Sequence, residues 1–170
     1  MHIGIPKETR DGETRVAATP ETVKKYVGGK HTVVVERGAG SAARYLDDAY
    51  EAAGATLGTA QDALGAELVM KVRAPSPAEL PQMKSGTIVI GMLDPFDAEG
   101  LQQMAGAGLV GFALEAAPRI TRAQSLDVLS SQANLAGYKA VLLAAHHYGR
   151  LIPMTVSYTH LRAHETGRNL

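Results

Sequence analysis

The sequence predicts an α/β fold: an open, mostly parallel sheet with helices on both faces and a long C-terminal helix. Strand-like and helix-like segments alternate along the chain as far as Tyr148. Strand-like segments such as His31–Glu36 and Thr87–Met92 are apolar from end to end, which is typical of parallel strands covered on both faces. The 170 residues, of which 45% are hydrophobic, suffice for one domain with a proper core.

The first half of the chain opens with a predicted strand at Met1–Ile5. Thr19 suits a helix N-cap and Pro20 the first helical position, so a helix follows and ends at Gly28 and Gly29. The β-branched segment His31–Glu36 predicts the next strand. The later elements in this half are a helix at Asp47–Ala53, a short strand at Gly54–Leu57 and a short helix at Thr59–Leu64 capped by Thr59.

The second half continues the alternation, with a short helix expected in the proline-punctuated stretch from Pro75 to Pro81. The predicted strands are Glu67–Val72, Thr87–Met92 and Leu109–Leu114, and the predicted helices are Asp97–Ala105 and Ser130–Tyr148. Ligands of parallel sheets collect at the carboxyl ends of the strands. The loop at Ala116–Gln124 follows a strand, so we expect it at that edge.

Composition narrows the function classes. Seventeen basic residues balance seventeen acidic ones, so no bulk attraction to nucleic acid or to an anionic membrane is expected. The absence of cysteine excludes disulfides and thiolate metal sites, and MHIGIPKETR has no apolar leader. The longest nearly apolar run, Leu135–Ala145, falls short of the ~20 residues that a membrane span needs.

A glycine-rich loop follows the predicted strand His31–Glu36. Gly38, Gly40 and Ala43 match the pattern G-x-G-x-x-A, which can begin a dinucleotide phosphate loop. However, no long helix is predicted after Ala43. The next strand ends in basic residues, where an acidic ribose ligand would be expected. The pattern therefore disfavours a phosphate loop here.

The segment from Pro118 to Tyr138 is the most informative stretch of the chain. It leads from a polar loop into an apolar helix. Arg119, Gln124, Asp127 and Ser130 offer a guanidinium, an amide, a carboxylate and a hydroxyl, which suit a planar amide and sugar hydroxyls. A structural alternative stays open, in which Asp127 or a neighbouring serine simply caps the helix that follows.

The stretches GIPKETRDGETRVAATPETV (Gly4–Val23) and PRITRAQSLDVLSSQANLAGY (Pro118–Tyr138) resemble the alpha subunit of proton-translocating NAD(P) transhydrogenases. The first stretch is shared with the related alanine dehydrogenases, and the resemblance covers about residues 1–154. It implies contacts with the nicotinamide end of NAD(H). The implied residues are Arg119, Gln124, Ser125, Leu126, Asp127 and Ser130.

Arg15 and Lys71 match residues that hold the substrate carboxylate in alanine dehydrogenases, which implies a substrate-like pocket. That family also carries a catalytic histidine after the following strand, where this sequence has Asp94. The missing histidine favours transhydrogenase over alanine dehydrogenase. Because hydride passes directly between two nicotinamides in transhydrogenation, we expect no catalytic acid, base or nucleophile, and no metal.

The resemblance further implies that a domain absent from this chain binds most of the NAD(H), and that NADP(H) binds to a partner subunit or domain. Expected partners are the membrane and NADP(H)-binding subunits and a second copy of the chain, at the cytoplasmic side of the inner membrane. After Met154 the family pattern stops, so we expect a truncated domain at 1–154, inactive alone. Residues 155–170 are expected to form a disordered or foreign tail, with His160 and His164 not holding a metal.

Two alternatives remain open at this point. The first is the substrate domain of an oxidoreductase like alanine dehydrogenase, which alanine oxidation would reveal. The second is a stand-alone sensor or dimerisation module. It would use the small residues on one side of the long helix: Ala133, Gly137, Ala140 and Ala144.

Overall fold

The structure is a computed structural model that describes residues 1–118 and 120–150. The chain divides into two compact units, Met1–Val128 and Leu129–Leu170. Predictions for Arg119 and for the tail 155–170 lie outside the described residues.

The first unit contains six strands that form one parallel sheet. The strands are β1 (His2–Ile5), β2 (Thr32–Glu36), β3 (Thr56–Gly58), β4 (Leu68–Arg73), β5 (Ile88–Met92) and β6 (Val110–Ala113). Their order across the sheet is β3-β2-β1-β4-β5-β6, and every pairing is parallel. The predicted α/β class with a parallel sheet is confirmed, and each predicted strand is present within two residues of its expected bounds.

This strand order places a topological switch point between β1 and β4. From β1 the chain adds β2 and then β3 on one side, and it then crosses to add β4, β5 and β6 on the other side. The loops that leave the carboxyl ends of β1 and β4 therefore diverge and leave a crevice between them, the usual ligand position in open α/β sheets.

Helices cover both faces of β1. The first helix, α1 (Pro20–Gly28), is capped by Thr19, and its Val23 packs in one core cluster with Ile3 and Ile5. Gly4 points to the opposite face, because successive strand residues alternate. A Cβ at Gly4 would collide with the backbone carbonyl of Ala63 in α3 (Ala60–Leu64), so only glycine permits this close approach.

The remaining helices of the first unit are α2 (Asp47–Ala52) and α4 (Ala98–Gly106). Thr59 caps α3, as the sequence predicts, and forms a capping box with Asp62. Asp97, predicted as the first helical residue, is the N-cap of α4. The helix expected between Pro75 and Pro81 is reduced to a single 3₁₀ turn at Leu80–Gln82. Each proline there removes a backbone N–H donor, which explains the loss of regular helix.

The glycine-rich loop after β2 is a tight turn and not the start of a long helix. Gly38 has φ +73°, and its amide donates to Asp47 Oδ1 at 2.9 Å. Only a short 3₁₀ turn follows, at Ser41–Ala43. A Cβ at Gly40 would meet the buried ring of Tyr50 at 2.7 Å. These glycines serve local packing, in agreement with the disfavoured phosphate-loop interpretation.

The long helix α5 begins at Val128 and ends at His147, and it starts two residues earlier than predicted. From Leu129 onward it belongs to the second unit. None of its residues is buried, and large apolar side chains such as Leu135, Tyr138 and Val141 are exposed. Near its end, the rings of His146 and His147 lie edge to face, with their centroids 5.2 Å apart. Across the described residues, no helix is both long and apolar enough to cross a membrane.

Candidate functional site

A cavity of about 280 Å³ opens at the topological switch point. Its walls come from the loop after β1, from β4 and the segment that follows it, and from the N-cap of α4. The lining residues are Glu8, Thr9, Arg10, Lys71, Ala74, Pro75, Ser76, Pro77 and Asp97. The sequence predicts a ligand site at this edge of the sheet, and the structure places this crevice there.

The floor of the crevice holds a buried lysine between two glutamates. The side chain of Lys71 is 1% exposed, and those of Glu8 and Glu79 are 2% and 7% exposed. Lys71 Nζ donates to Glu79 Oε1 at 2.8 Å and lies 3.6 Å from Glu8 Oε2. Two carboxylates therefore share one ammonium group at a site that water hardly reaches.

Glu79 is the better-satisfied carboxylate of the two. Its Oε2 accepts from the backbone amide of Ser76 at 2.7 Å and from the Ser76 hydroxyl at 3.0 Å. Burial opposes its ionisation, but the hydrogen bonds from Lys71 and Ser76 outweigh burial and lower the pKa of Glu79 below its ordinary value. Glu79 is therefore the standing counter-ion of Lys71.

Glu8 is less well satisfied. Its Oε1 accepts from the backbone amide of Val72 at 2.6 Å, but its Oε2 lies beyond hydrogen-bonding distance from Lys71. Burial raises the pKa of Glu8 above 4.5, and the attraction of Lys71 and the backbone hydrogen bonds do not fully offset it. The nearby charge of Glu79 raises it further.

Arg15, the second residue of the predicted substrate-like pocket, is paired within its own loop. Its Nε and Nη2 donate to the two carboxylate oxygens of Glu13 at 2.7 and 2.6 Å. Arg73 Nε also donates to Glu13 Oε2, at 3.2 Å. The hydrogen bonds from Arg15 lower the pKa of Glu13 to about 2. The sequence predicts one pocket for Arg15 and Lys71. In the structure Arg15 pairs with Glu13, whereas Lys71 pairs with Glu79.

The predicted nicotinamide-contacting segment forms a 3₁₀ helix at Thr121–Leu126 that leads into α5. Gln124, Ser125 and Leu126 are exposed on this turn, and Asp127 is half-buried at its end. The structure brings these four residues together as consecutive members of one turn. Asp127 therefore follows a 3₁₀ turn and directly precedes α5, which preserves the capping alternative as well as the ligand-binding one.

Ser130 lies in α5 and belongs to the second unit, and Arg119 lies outside the described residues. Neither Asp127 nor Ser130 is without an interaction partner. The exposed amide of Gln124 and the carboxylate of Asp127 have the chemistry that a nicotinamide carboxamide and ribose hydroxyls require. The residues present therefore fit NAD(H).

Asp94 stands in a strained loop at the carboxyl end of β5. Its φ of +51° is rare for a residue other than glycine. The Glu115 carboxylate accepts from the Asp94 backbone amide at 2.7 Å and stabilises this conformation. The other oxygen of Glu115 is buried without a hydrogen-bond partner. The resemblance to alanine dehydrogenases implies a histidine at the position of Asp94.

Comparison with known families matches residues 4–136 to the model of the alanine dehydrogenase/PNT N-terminal domain. The chain belongs to this family. The matched range includes the crevice residues and the segment from Gln124 to Ser130. It confirms the resemblance that the Gly4–Val23 and Pro118–Tyr138 stretches indicate.

Within this family, the chain is more similar to the transhydrogenase relatives compared than to the alanine dehydrogenases. It is 40% identical over 150 residues to NAD(P) transhydrogenase subunit alpha of Haemophilus influenzae, covering 88% of this chain and 29% of the relative. A shorter NAD(P) transhydrogenase subunit alpha chain from Rhodospirillum rubrum is 44% identical over 165 residues, covering 92% of this chain and 43% of the relative.

The alanine dehydrogenases are more distant. Alanine dehydrogenase 1 of Staphylococcus aureus is 32% identical over 148 residues, covering 86% of this chain and 39% of the relative. The chain thus spans less than half the length of each of these three relatives.

Solved structures give the same ranking. The transhydrogenase from Sinorhizobium meliloti superposes with a TM-score of 0.86 at 52% identity, covering 91% of this chain and 47% of that one. An L-alanine dehydrogenase superposes with a TM-score of 0.66 at 37% identity, covering 68% of this chain and 32% of that one.

Sequence reasoning missed the glutamates that pair with Arg15 and Lys71. Glu8, Glu13 and Glu79 interact with the cations that the sequence singles out, yet none of the three was predicted as a site residue. The sequence does contain a signal for Glu8. It follows the predicted strand Met1–Ile5 by only three residues, and a carboxylate buried there needs a cation or hydrogen-bond donors. Glu79 gives no such signal, since its partner Lys71 lies eight residues away across an irregular turn.

Proposed function

We propose that this chain is the N-terminal part of the NAD(H)-binding alpha subunit of a proton-translocating NAD(P) transhydrogenase. The activity is hydride transfer between NAD(H) and NADP(H), coupled to proton translocation. The observation that carries this proposal is the ranking of the relatives. Identity is 38–52% to the transhydrogenase proteins, against 32% and 37% to the alanine dehydrogenases.

The site chemistry supports the same choice. A dehydrogenase that oxidises an amine needs a positioned acid–base group. Where the resemblance to alanine dehydrogenases implies a catalytic histidine, this sequence has Asp94. The predicted carboxylate ligands, Arg15 and Lys71, each contact a glutamate of the chain itself. Transhydrogenation asks for neither an acid–base group nor a free carboxylate site, because the two nicotinamides carry the reaction.

In this proposal the chain's own residues position the cofactor. We assign Gln124 to the nicotinamide carboxamide or a nearby water, Asp127 and Ser130 to the ribose or to Gln124 itself, and Arg119 to the pyrophosphate side or the ring edge. Ser125 and Leu126 line the same turn. Holding a nicotinamide in a reactive geometry supplies a large part of the rate of a direct hydride transfer. Loss of one contact should therefore slow transfer without unfolding the domain.

The test places Gln124→Ala and Asp127→Asn in a complete transhydrogenase whose alpha subunit carries residues 4–136 of this chain. Both variants should slow single-turnover hydride transfer by about 10-fold or more, which corresponds to about 1.4 kcal/mol of lost positioning. Thermal unfolding should change little in Gln124→Ala, because Gln124 is exposed. Gln103→Ala, an exposed amide on α4, serves as the matched control. Unchanged single-turnover rates in both variants would contradict the proposed contacts.

Membership of this family indicates that the complete protein uses a nucleotide cofactor. We propose that this cofactor is NAD(H) and that a domain other than this one binds most of it. NADP(H) would bind to a partner subunit or domain. The partners we propose are the membrane and NADP(H)-binding subunits and a second copy of the alpha subunit, at the cytoplasmic face of the inner membrane. We also propose that the domain extends over 1–154 and excludes 155–170. Co-purification with the membrane subunit tests the assembly.

A further inference from the structure

The buried cluster of Glu8, Lys71 and Glu79 has more acid than base. One ammonium group faces two carboxyl groups, and all three side chains are at most 7% exposed. Full ionisation would leave these three buried groups with one net negative charge in a site of low dielectric, which is costly. Protonation of one carboxyl group would make the cluster neutral. The question is which carboxyl group holds the proton.

The geometry distinguishes the two carboxyl groups. Glu79 contacts the ammonium at 2.8 Å and accepts two hydrogen bonds from Ser76, so all its strong interactions favour the charged form. Thr9 Oγ1 also lies 3.4 Å from Glu79 Oε1. Glu8 accepts hydrogen bonds from the backbone amides of Val72 and Arg73, and its Oε2 lies 3.6 Å from the ammonium, beyond hydrogen-bonding distance. Protonation is therefore less opposed at Glu8 than at Glu79.

We propose that Glu8 is a proton-binding residue of the crevice, and that loss of its proton gives Lys71 a second carboxylate to contact. In the protonated state the cluster is neutral and Lys71 contacts Glu79. In the ionised state the cluster carries one negative charge, and Glu8 competes with Glu79 for the ammonium. The charge and the position of the cation at the floor of the crevice then depend on pH.

Some of the groups around Glu8 lower its pKa and others raise it. Lys71 on β4 and the backbone amides of β4 favour its ionisation, whereas burial and Glu79 oppose it. Arg15, in the loop that contains Glu8, also favours a charged Glu8, and it shares Glu13 with Arg73 of β4. Arg10 and Asp97 line the same cavity with opposite charges. The balance keeps the pKa of Glu8 above its ordinary value.

This property does not depend on the proposed transhydrogenase function, because it concerns residues of the first unit and needs no cofactor. A purely structural salt bridge would lack it. In a purely structural ion pair, Lys71 would keep the same contacts whatever the protonation state of Glu8.

The test is a nuclear magnetic resonance titration of the 170-residue chain labelled with ¹³C at the glutamate carboxyl and lysine ε positions. One glutamate resonance, identified by its loss in Glu8→Gln, should titrate with a midpoint above 4.5, the ordinary glutamate value. The ε resonance of Lys71 should shift with the same midpoint and stay constant in Glu8→Gln. That variant retains an acceptor for the Val72 amide, so it should remain folded.

Glu79→Gln provides the second variant. It removes the competing carboxylate and leaves Lys71 with Glu8 alone, so the midpoint of Glu8 should move downward. Glu99→Gln, a change at an exposed glutamate on α4, should leave the Glu8 midpoint unchanged. A Glu8 midpoint at or below 4.5, or a Lys71 resonance that ignores the titration of Glu8, would overturn the proposal. An unchanged Glu8 midpoint in Glu79→Gln would overturn the assignment of the shared ammonium.

Discussion

Replacing Lys71 by methionine should destabilise the first unit far more than loss of a surface lysine. Methionine has nearly the length of the lysine stem and is apolar, so the buried stem is conserved and mainly the charge is lost. The variant leaves Glu8 and Glu79 buried, with side chains 2% and 7% exposed and without their ammonium partner. Two facing carboxylates then also repel each other.

Removing one partner of a buried ion pair costs about 3–5 kcal/mol, because the remaining charge is buried without compensation. Here two carboxylates depend on the same ammonium, at 2.8 and 3.6 Å, which argues for the upper end of that range at neutral pH. The Ser76 hydrogen bonds to Glu79 remain and limit the loss. The carboxyl groups can also take up protons, so the cost should shrink as the pH falls toward 4.5.

Urea denaturation followed by far-ultraviolet circular dichroism measures this difference in the free energy of unfolding. Lys84→Met, a change at an exposed lysine beside the sheet, is the matched control and should change stability by about 0.5 kcal/mol or less. The reasoning would be refuted if Lys71→Met cost no more than Lys84→Met at neutral pH. A Lys71→Met cost that grew as the pH fell would refute it as well.

Three further outcomes follow from the structure. Gly4→Ala should cost about 3 kcal/mol or more in thermal unfolding, because its Cβ would collide with the backbone of Ala63, and a wild-type melting temperature would contradict the close approach. Tyr50→Phe should cost about 1–2 kcal/mol in urea, since it leaves the Ala18 carbonyl without its buried 2.9 Å hydrogen bond, and a neutral effect would mean that water replaces the hydroxyl. The depressed pKa of Glu13 contributes stability that is present above pH 4.5 and is lost as the pH falls toward about 2. Glu13→Gln should therefore make the free energy of unfolding less dependent on pH in this range. An unchanged pH dependence would argue against the contribution.

The order of elements could be predicted from the sequence because its local signals agree with the final fold. The Thr19–Pro20 start of α1 and the Thr59 cap of α3 are both present, since each cap is satisfied within a few residues. Apolar strands without alternation correctly indicated a parallel sheet. The helix predicted between Pro75 and Pro81 was wrong, because three prolines remove backbone N–H donors that a helix needs.

The crevice was only partly predictable. The position of Lys71 at the carboxyl edge followed from the parallel sheet, but its partners did not. Glu8 accepts a hydrogen bond from the amide of Val72, which lies 64 residues later in the chain. Only the strand order brings β1 beside β4 and makes this contact possible. Glu79 lies eight residues after Lys71, beyond an irregular turn. Pairings of this kind depend on tertiary structure and leave no local pattern in a single sequence.

The most direct test of the proposed function compares two reactions in one protein. A complete alpha subunit carrying residues 4–136 of this chain, assembled with its membrane and NADP(H)-binding subunits, is assayed for hydride transfer from NADH to an NADP⁺ analogue and for alanine-dependent reduction of NAD⁺. We expect hydride transfer that falls in Gln124→Ala, and no reduction with alanine. Alanine oxidation without transfer between the two nucleotides would contradict the proposed function.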